Sequence, residues 1–280
     1  HRFLGSGTSA MLFTATIFSN AEIAPGYRRI RLSAPPAFTA AQPGQFVMAR
    51  VGSDPLLRRP FAVFDMGVSD APDEAAGGSR AWFEMLYKVV GKGTALLAKQ
   101  REGAEIGILG PLGTGFQCRG DEKEEHLLVG GGIGLAPLYL LAADLVKKQR
   151  APVRLFAGGR THADLLCLED FQRLGVDCHT ATEDGSHGER GFVTLALTRY
   201  LDALPGKAAL YACGPEGMLG AVAERELPCQ VSLEAHMACG VGACLACVVP
   251  GRRHSPQMPD YRCVCAEGPV FPAGELQWPS

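Results

Sequence analysis

The sequence predicts a multidomain protein of β and α/β class: an N-terminal antiparallel β-barrel, a parallel-sheet α/β unit and a small C-terminal unit rich in cysteine. Three observations carry this. Over residues 10–118, short β-type stretches alternate with turn residues, the pattern of antiparallel barrels and sandwiches. Over 122–226, strands alternate with helical stretches, the pattern of a parallel sheet. Over 229–280, helical periodicity fades, prolines recur and three cysteines fall in one glycine-rich run.

In the first segment the predicted strands are 10–19, 27–33, 45–51, 61–66, 81–90 and 105–109, punctuated by Pro25-Gly26 and Pro43-Gly44. Residues 69–79, with Pro72 and Gly77-Gly78, read as a hairpin loop. A helix is expected over 94–100, with Thr94 as its cap and Leu96 and Leu97 as apolar contacts.

The second segment opens with a charged run, 121–125, and a strand over 126–129 that enters Gly130-Gly131-Gly132-Ile133-Gly134. A helix follows to about residue 148, with Pro137 tolerated in its first turn. Strand–glycine turn–helix is the setting in which backbone N–H groups receive a pyrophosphate. Gly131, Gly132 and Gly134 are therefore candidate dinucleotide contacts. Strands over 153–157, 177–182 and 209–212 and helices near 163–174, after 194 and over 216–226 complete the pattern. The standard acidic residue at the end of the next strand is missing; Gly158-Gly159-Arg160 stands there. Arg160 suits a 2′-phosphate or plain solvent, so NAD and NADP both remain open. Cys213-Gly214-Pro215 joins a further strand to a helix and is a second candidate contact for the dinucleotide, although a single cysteine there also serves as a small core residue.

The third segment holds Cys239, Cys244 and Cys247 in C-x4-C-x2-C spacing. That is the plant-type pattern for a [2Fe–2S] cluster, completed by a distant fourth thiolate. Structural zinc sites show two short pairs instead. Gly240 and Gly242 allow the positive φ that a loop wrapped around a cluster needs. Cys263 and Cys265 are both candidates for the fourth ligand. Two residues apart in an extended segment they point the same way, so alternation does not choose between them.

At 280 residues and 47% hydrophobic content the chain is large enough for two or more cores. A net charge of −2 without basic runs argues against a nucleic-acid partner. No apolar stretch is long enough to span a bilayer, and residues 10–13 are too short for a signal-peptide core. Ten cysteines without such a signal read as reduced thiols of a cytoplasmic protein. Residues 1–10 read partly as a frayed end.

Several runs together resemble the ferredoxin-NADP reductase superfamily and, within it, the electron-transfer subunits of class 1B dihydroorotate dehydrogenases. Leu57-Arg58-Arg59-Pro60-Phe61-Ala62-Val63 is similar to that family's flavin motif; Val90-Gly91-Lys92-Gly93-Thr94 and Gly110-Pro111-Leu112-Gly113 match its second flavin region. Thr182-Glu183-Asp184-Gly185-Ser186, Gly191-Phe192-Val193-Thr194 and Leu233-Glu234-Ala235-His236-Met237-Ala238-Cys239-Gly240 follow in the family's order. Val264-Cys265-Ala266-Glu267-Gly268-Pro269-Val270-Phe271 places the family's last ligand on Cys265.

The resemblance implies FAD held by Arg59, Pro60, Phe61, Ala62, Gly91, Gly93 and Thr94. It implies NAD(P) at Gly131, Gly132, Gly134, Cys213, Gly214 and Pro215, and a [2Fe–2S] cluster on Cys239, Cys244, Cys247 and Cys265. Arg59 suits bidentate pairing with a pyrophosphate. Ala62 departs from the family's usual serine, removing one hydroxyl near the flavin. Glu234 and His236 are candidates to tune the cluster; no residue is assigned a catalytic role. The implied partner is an FMN-containing catalytic subunit that oxidises dihydroorotate in pyrimidine biosynthesis, within a heterotetramer, with residues 248–258 as the docking rim. A reductase subunit serving ferredoxin or a hydrogenase shares the same motifs, and a nucleotide-sensing metal protein is the reading from another class.

Overall fold

The computed structural model describes residues 10–72, 79–118, 124–148, 151–204, 206–225, 227–255 and 257–279. The expected frayed end, part of the 69–79 hairpin loop and most of the 121–125 charged run lie outside these residues.

The first half is a seven-stranded antiparallel sheet. Its strands are β1 (Met11–Ala24), β2 (Tyr27–Ala34), β3 (Phe46–Arg50), β4 (Arg59–Ala62), β5 (Asp65–Pro72), β6 (Ser79–Lys88) and β7 (Glu105–Leu112), in the order β4-β3-β7-β1-β2-β6-β5. Ala15, Ile17, Ile30, Leu32, Phe83, Met85, Ile106 and Ile108 fill its inner face, the period-2 alternation of a half-buried sheet. Phe38 caps that core, its ring centroid 4.5 Å from Phe83.

The single strand expected over 61–66 is two. Between β4 and β5 the chain bends, and the Val63 and Phe64 N–H groups donate to the carbonyls of Gln45 and Glu84 at 3.1 and 2.8 Å. This corner folds one end of the sheet towards the other, which gives the barrel-like curl. Helix α1 (Lys92–Ala98) begins two residues before the expected start. Thr94 therefore sits inside the first turn, where its hydroxyl accepts the Val90 and Gly91 N–H groups. Asn20 of β1 donates to the carbonyls of Leu97 and Gln100, satisfying the helix's far end.

The second half is a sheet of β8 (Glu124–Gly131), β9 (Val153–Gly159), β10 (Asp177–Thr182), β11 (Glu189–Arg190), β12 (Lys207–Cys213), β13 (Cys229–Ser232) and, further along the chain, β16 (Val270–Pro272). Helices α2 (Ala136–Lys147), α3 (Leu168–Arg173), α4 (Val193–Ala203) and α5 (Glu216–Ala223) connect the strands. The order is β11-β10-β9-β8-β12-β13-β16, parallel except for β16. Successive strands run outward from β8 through β9 to β10, then the chain returns to β12 on the other side of β8. That reversal makes a crevice at the carboxyl ends of β8 and β12, where such sheets bind ligands.

The expected helix near 163–174 is a short 3-10 turn, His162–Asp164, followed by α3. The boundary expected at about 229 differs more: β13 and β16 both belong to the parallel sheet, because Val231 and Phe271 bury their side chains in its core. What stands outside that sheet is the cysteine-bearing stretch between them, with its hairpin β14 (Val248–Pro250) and β15 (Tyr261–Cys263).

The two halves are joined by polar and aromatic contacts. Phe64 stacks on Tyr139 of α2, centroids 4.5 Å apart. Arg29 of β2 bridges Glu84 of β6 at 2.5 Å and Asp170 of α3 at 3.2 Å. The Tyr27 hydroxyl donates to Asp164 at 2.7 Å and accepts from Lys88 at 2.9 Å.

Candidate redox centre and dinucleotide cleft

The crevice between β8 and β12 opens into a cavity of about 700 Å³. Of the sequence-predicted contacts, Gly131, Gly132, Gly214 and Pro215 line it. Gly134 and Cys213 lie beneath its floor: a Cβ on Gly134 would stand 2.1 Å from the Cys213 carbonyl oxygen. Only glycine lets the turn press onto β12 so closely. Cys213 is buried, and burial pushes its thiol well above the ordinary range.

Arg160, Glu183 and Phe192 line the end of the cavity beyond β9 and β10, and Glu234 lines the end beyond β12. Burial raises the Glu234 carboxyl above the usual carboxylate range. Tyr27 and Lys88 reach the same cavity from the other half of the molecule. No local motif announces those two; only the packing of the halves brings them there. Phe192 and Glu183 stand in two of the runs that carry the family resemblance, which assigns them no role.

The flavin-motif residues gather at the sheet corner beside α1. Arg59, at the start of β4, donates to the Leu57 carbonyl at 2.7 Å, and its side chain lies over Gly93. Gly91 precedes α1 and is exposed, while Thr94 is occupied by its own backbone. Pro60 faces Met48 across the β3–β4 ladder, and Phe61 turns into the core against Tyr87. Ala62 packs with Ile133, Tyr139 and Cys167 around Phe64, so the methyl that replaces the usual hydroxyl meets an apolar neighbourhood.

The cysteines fall into two sets. Cys247, Cys263 and Cys265 are buried with their sulfurs within 4.8 Å of one another. Cys239 and Cys244 lie on the preceding loop, Cys244 exposed. Burial works against ionisation of Cys239, but N–H groups of Val241, Cys244 and Ala243 turned towards its sulfur outweigh it and draw the thiol down to about 6. The Cys265 sulfur accepts the Gly242 N–H at 3.0 Å, and the Cys247 sulfur accepts the Cys265 N–H at 3.4 Å. Such N–H···S contacts accompany thiolates that hold iron. The loop is shaped to match: Gly240 has φ +74°, and a Cβ there would meet Met48 Cγ at 2.5 Å. Leu245 also holds positive φ, 56°, without being glycine. Buried sulfur donors, a tight loop and inward N–H groups fit an iron–sulfur cluster. Cys263, absent from the expected ligand set, stands among them.

Two family models match this chain. One, the iron-sulfur cluster binding domain of dihydroorotate dehydrogenase B, covers residues 234–277; the other, an oxidoreductase NAD-binding domain, covers 128–224. Among curated proteins, the dihydroorotate dehydrogenase B (NAD(+)) electron transfer subunit of Geobacillus kaustophilus is 43% identical over 246 residues, 84% of this chain and 86% of that protein. The chain belongs to that family. The Shouchella clausii member is 41% identical over 93% of this chain and 96% of its own length. A solved structure of NADH-dependent reduced ferredoxin-NADP oxidoreductase shares 30% identity with a TM-score of 0.77, covering 94% of this chain and 90% of that one. The ferredoxin reductase of carbazole 1,9a-dioxygenase, 21% identical with a TM-score of 0.64, shares the fold. The family assignment agrees with the cysteine loop beginning just after Glu234 and with the NAD-binding match spanning the β8–β12 crevice.

Proposed function

We propose that this chain carries electrons between NAD and an FMN-containing dihydroorotate dehydrogenase catalytic subunit, through FAD and a [2Fe–2S] cluster, in the cytoplasm and within a heterotetramer. One juxtaposition carries the reading. Gly240 of the cysteine loop rests on Met48 of β3, and Met48 faces Pro60 of the flavin run across the strand pair. At the loop's other side, Glu234 lines the dinucleotide cavity only five residues before Cys239. An extended chain covers at most about 18 Å over that span. These neighbours support three candidate sites within short reach of one another.

Each residue has a part. Gly131 and Gly132 present backbone N–H groups to a pyrophosphate at the start of α2. Arg59 supplies the fixed charge for the second pyrophosphate, that of FAD, beside the start of α1. Phe64, Tyr139 and Ala62 form the apolar part of the seam between the halves, beside the Arg29 bridges to Glu84 and Asp170. Cys239, Cys244, Cys247 and Cys265 provide thiolates for iron. Bound there, flavin and cluster together supply the conversion between a two-electron hydride carrier and a one-electron carrier.

Val241 and Leu245 on the cysteine loop, and Met258 and Tyr261 further along the chain, are exposed and suit the docking of the catalytic subunit. Among the described residues no helix is long and apolar enough to cross a membrane. The test is co-expression with an FMN-containing dihydroorotate dehydrogenase catalytic subunit. The complex should reduce NAD with dihydroorotate, while the chain alone oxidises NADH with artificial acceptors but leaves dihydroorotate untouched. A chain that binds neither iron nor flavin refutes the reading. The likeness to NADH-dependent reduced ferredoxin-NADP oxidoreductase favours one alternative, service to ferredoxin; efficient ferredoxin reduction by the isolated chain would select it.

A further inference from the structure

The extended geometry expected around Cys263 and Cys265 is not what the chain adopts. β15 ends at Cys263, and the backbone then turns: the Ala266 and Glu267 N–H groups both donate to the Cys263 carbonyl, at 3.1 and 2.8 Å. The Glu267 carboxylate accepts the Cys263 N–H at 2.6 Å and fixes the turn from the other side. In an extended strand, side chains two residues apart would be separated by about 6.6 Å. Here the two sulfurs are 3.8 Å apart.

The Cys263 sulfur is also 3.8 Å from that of Cys247. Two thiolates on one tetrahedral ion, with metal–sulfur bonds of about 2.3 Å, are separated by about 3.8 Å. Both short edges of the buried trio thus have the length of a shared-metal edge, and both end on Cys263. Cys265 has the support expected of a ligand, the Gly242 N–H; Cys263 has the spacing.

We propose that Cys263 is a metal ligand in its own right, able to close the iron position beside Cys247 in place of Cys265. The cluster site then has five thiols for four places, with Cys239, Cys244 and Cys247 common to both ligand sets. Exchange between the sets is balanced: the entering thiol gives up its proton, the departing thiolate takes one, and no electron moves. This inference rests on the cluster proposed above, and its test separates the two.

Wild type, Cys263→Ala, Cys265→Ala and the double variant are reconstituted anaerobically with iron, sulfide and FAD. Iron and sulfide are counted, and electron paramagnetic resonance is recorded after dithionite reduction. Alanine is used because serine could itself bind iron. The expected result is about two irons per wild-type chain. Each single variant keeps more than about half of that content, the two singles differ in g-values, and the double variant falls below about a tenth. Retained FAD shows that a variant is folded. If the double variant loses FAD, alkylation of Cys265→Ala decides: Cys263 should be protected once the cluster is loaded. A Cys265→Ala chain that keeps FAD but holds no iron, or whose Cys263 alkylates equally fast with and without iron, overturns the proposal. Wild type without iron would instead overturn the cluster itself.

Discussion

The guanidinium of Arg59 lies against the backbone of Gly93: its Nε is 2.8 Å from where a Cβ on that glycine would be. The second residue of α1 is thus the seat on which the flavin-motif arginine rests. Gly93→Ala should lift the guanidinium off the helix. FAD affinity is expected to fall about tenfold, the equivalent of about 1.4 kcal/mol and the scale of one charge-assisted hydrogen bond. Arg59→Ala should cost at least as much. Equilibrium FAD binding, followed by flavin fluorescence, checks both; unchanged affinity in Arg59→Ala would remove that residue from the site.

Gly134 has no such freedom to adjust, because its neighbour is backbone. A methyl group there would collide with the Cys213 carbonyl and push the phosphate turn off β12. Gly134→Ala is expected to lower stability by about 1–3 kcal/mol, the usual cost of overpacking, and to weaken NADH binding together with it. Urea unfolding and a dinucleotide titration should move in parallel.

At the cavity's far end Phe192 is 64% exposed, an unusual state for a large aromatic ring lining a cleft. The strand order places it on the β9–β10 side, away from the flavin corner, where the adenosine half of a dinucleotide laid across the crevice would rest. Base–aromatic stacking is worth about 1–3 kcal/mol. The ratio of affinities for NADH over reduced nicotinamide mononucleotide, which lacks adenosine, should therefore fall about tenfold in Phe192→Ala. An unchanged ratio would leave Phe192 a bystander.

The Tyr27–Asp164 bond gives the joint between the halves a pH signature. Burial pushes the Asp164 carboxyl up, but the hydrogen bonds from Tyr27 and the Thr161 N–H, with the charges of Lys88 and Arg160, prevail and hold it below the usual range. A carboxyl whose folded value is depressed adds stability that is fully present above its unfolded value, near 3.9, and lost as pH falls through the folded value. Tyr27→Phe should be less stable than wild type by about 1 kcal/mol at pH 7. The gap should narrow below about pH 4 as both chains protonate Asp164. A gap that stays constant with pH would show that the lost bond is not linked to this proton.

Much of this fold was legible because its signals are local. The 177–182 strand lies where the sequence places it, since the glycine turns at Gly175 and Gly185 bound it and the alternation of strands and helices calls for a strand there. The Gly130–Gly134 turn and the C-x4-C-x2-C run announce their chemistry through spacing alone. What escaped was set by distant partners. Whether 61–66 is one strand or two depends on the carbonyls of Gln45 and Glu84, and β13 joins the parallel sheet because β12 and β16 flank it. Tyr27 and Lys88 reach the cavity only when the two halves of the molecule meet. Cys263 was visible as a cysteine, but its 3.8 Å approach to Cys265 required a turn that an extended reading excluded.

β16 has a mechanical meaning. The cysteine loop leaves the nucleotide sheet at β13 and returns to it at β16, which lies antiparallel beside the strand it left. Both roots of the loop are thus stitched to one rigid plate, like the two feet of an arch. A cluster held there would have no swinging arm, and its separation from the cleft at β8 and β12 would be set by the sheet itself. Reach from the cleft to the arch's crown would then be a property of the fold, with no need for the arch to move.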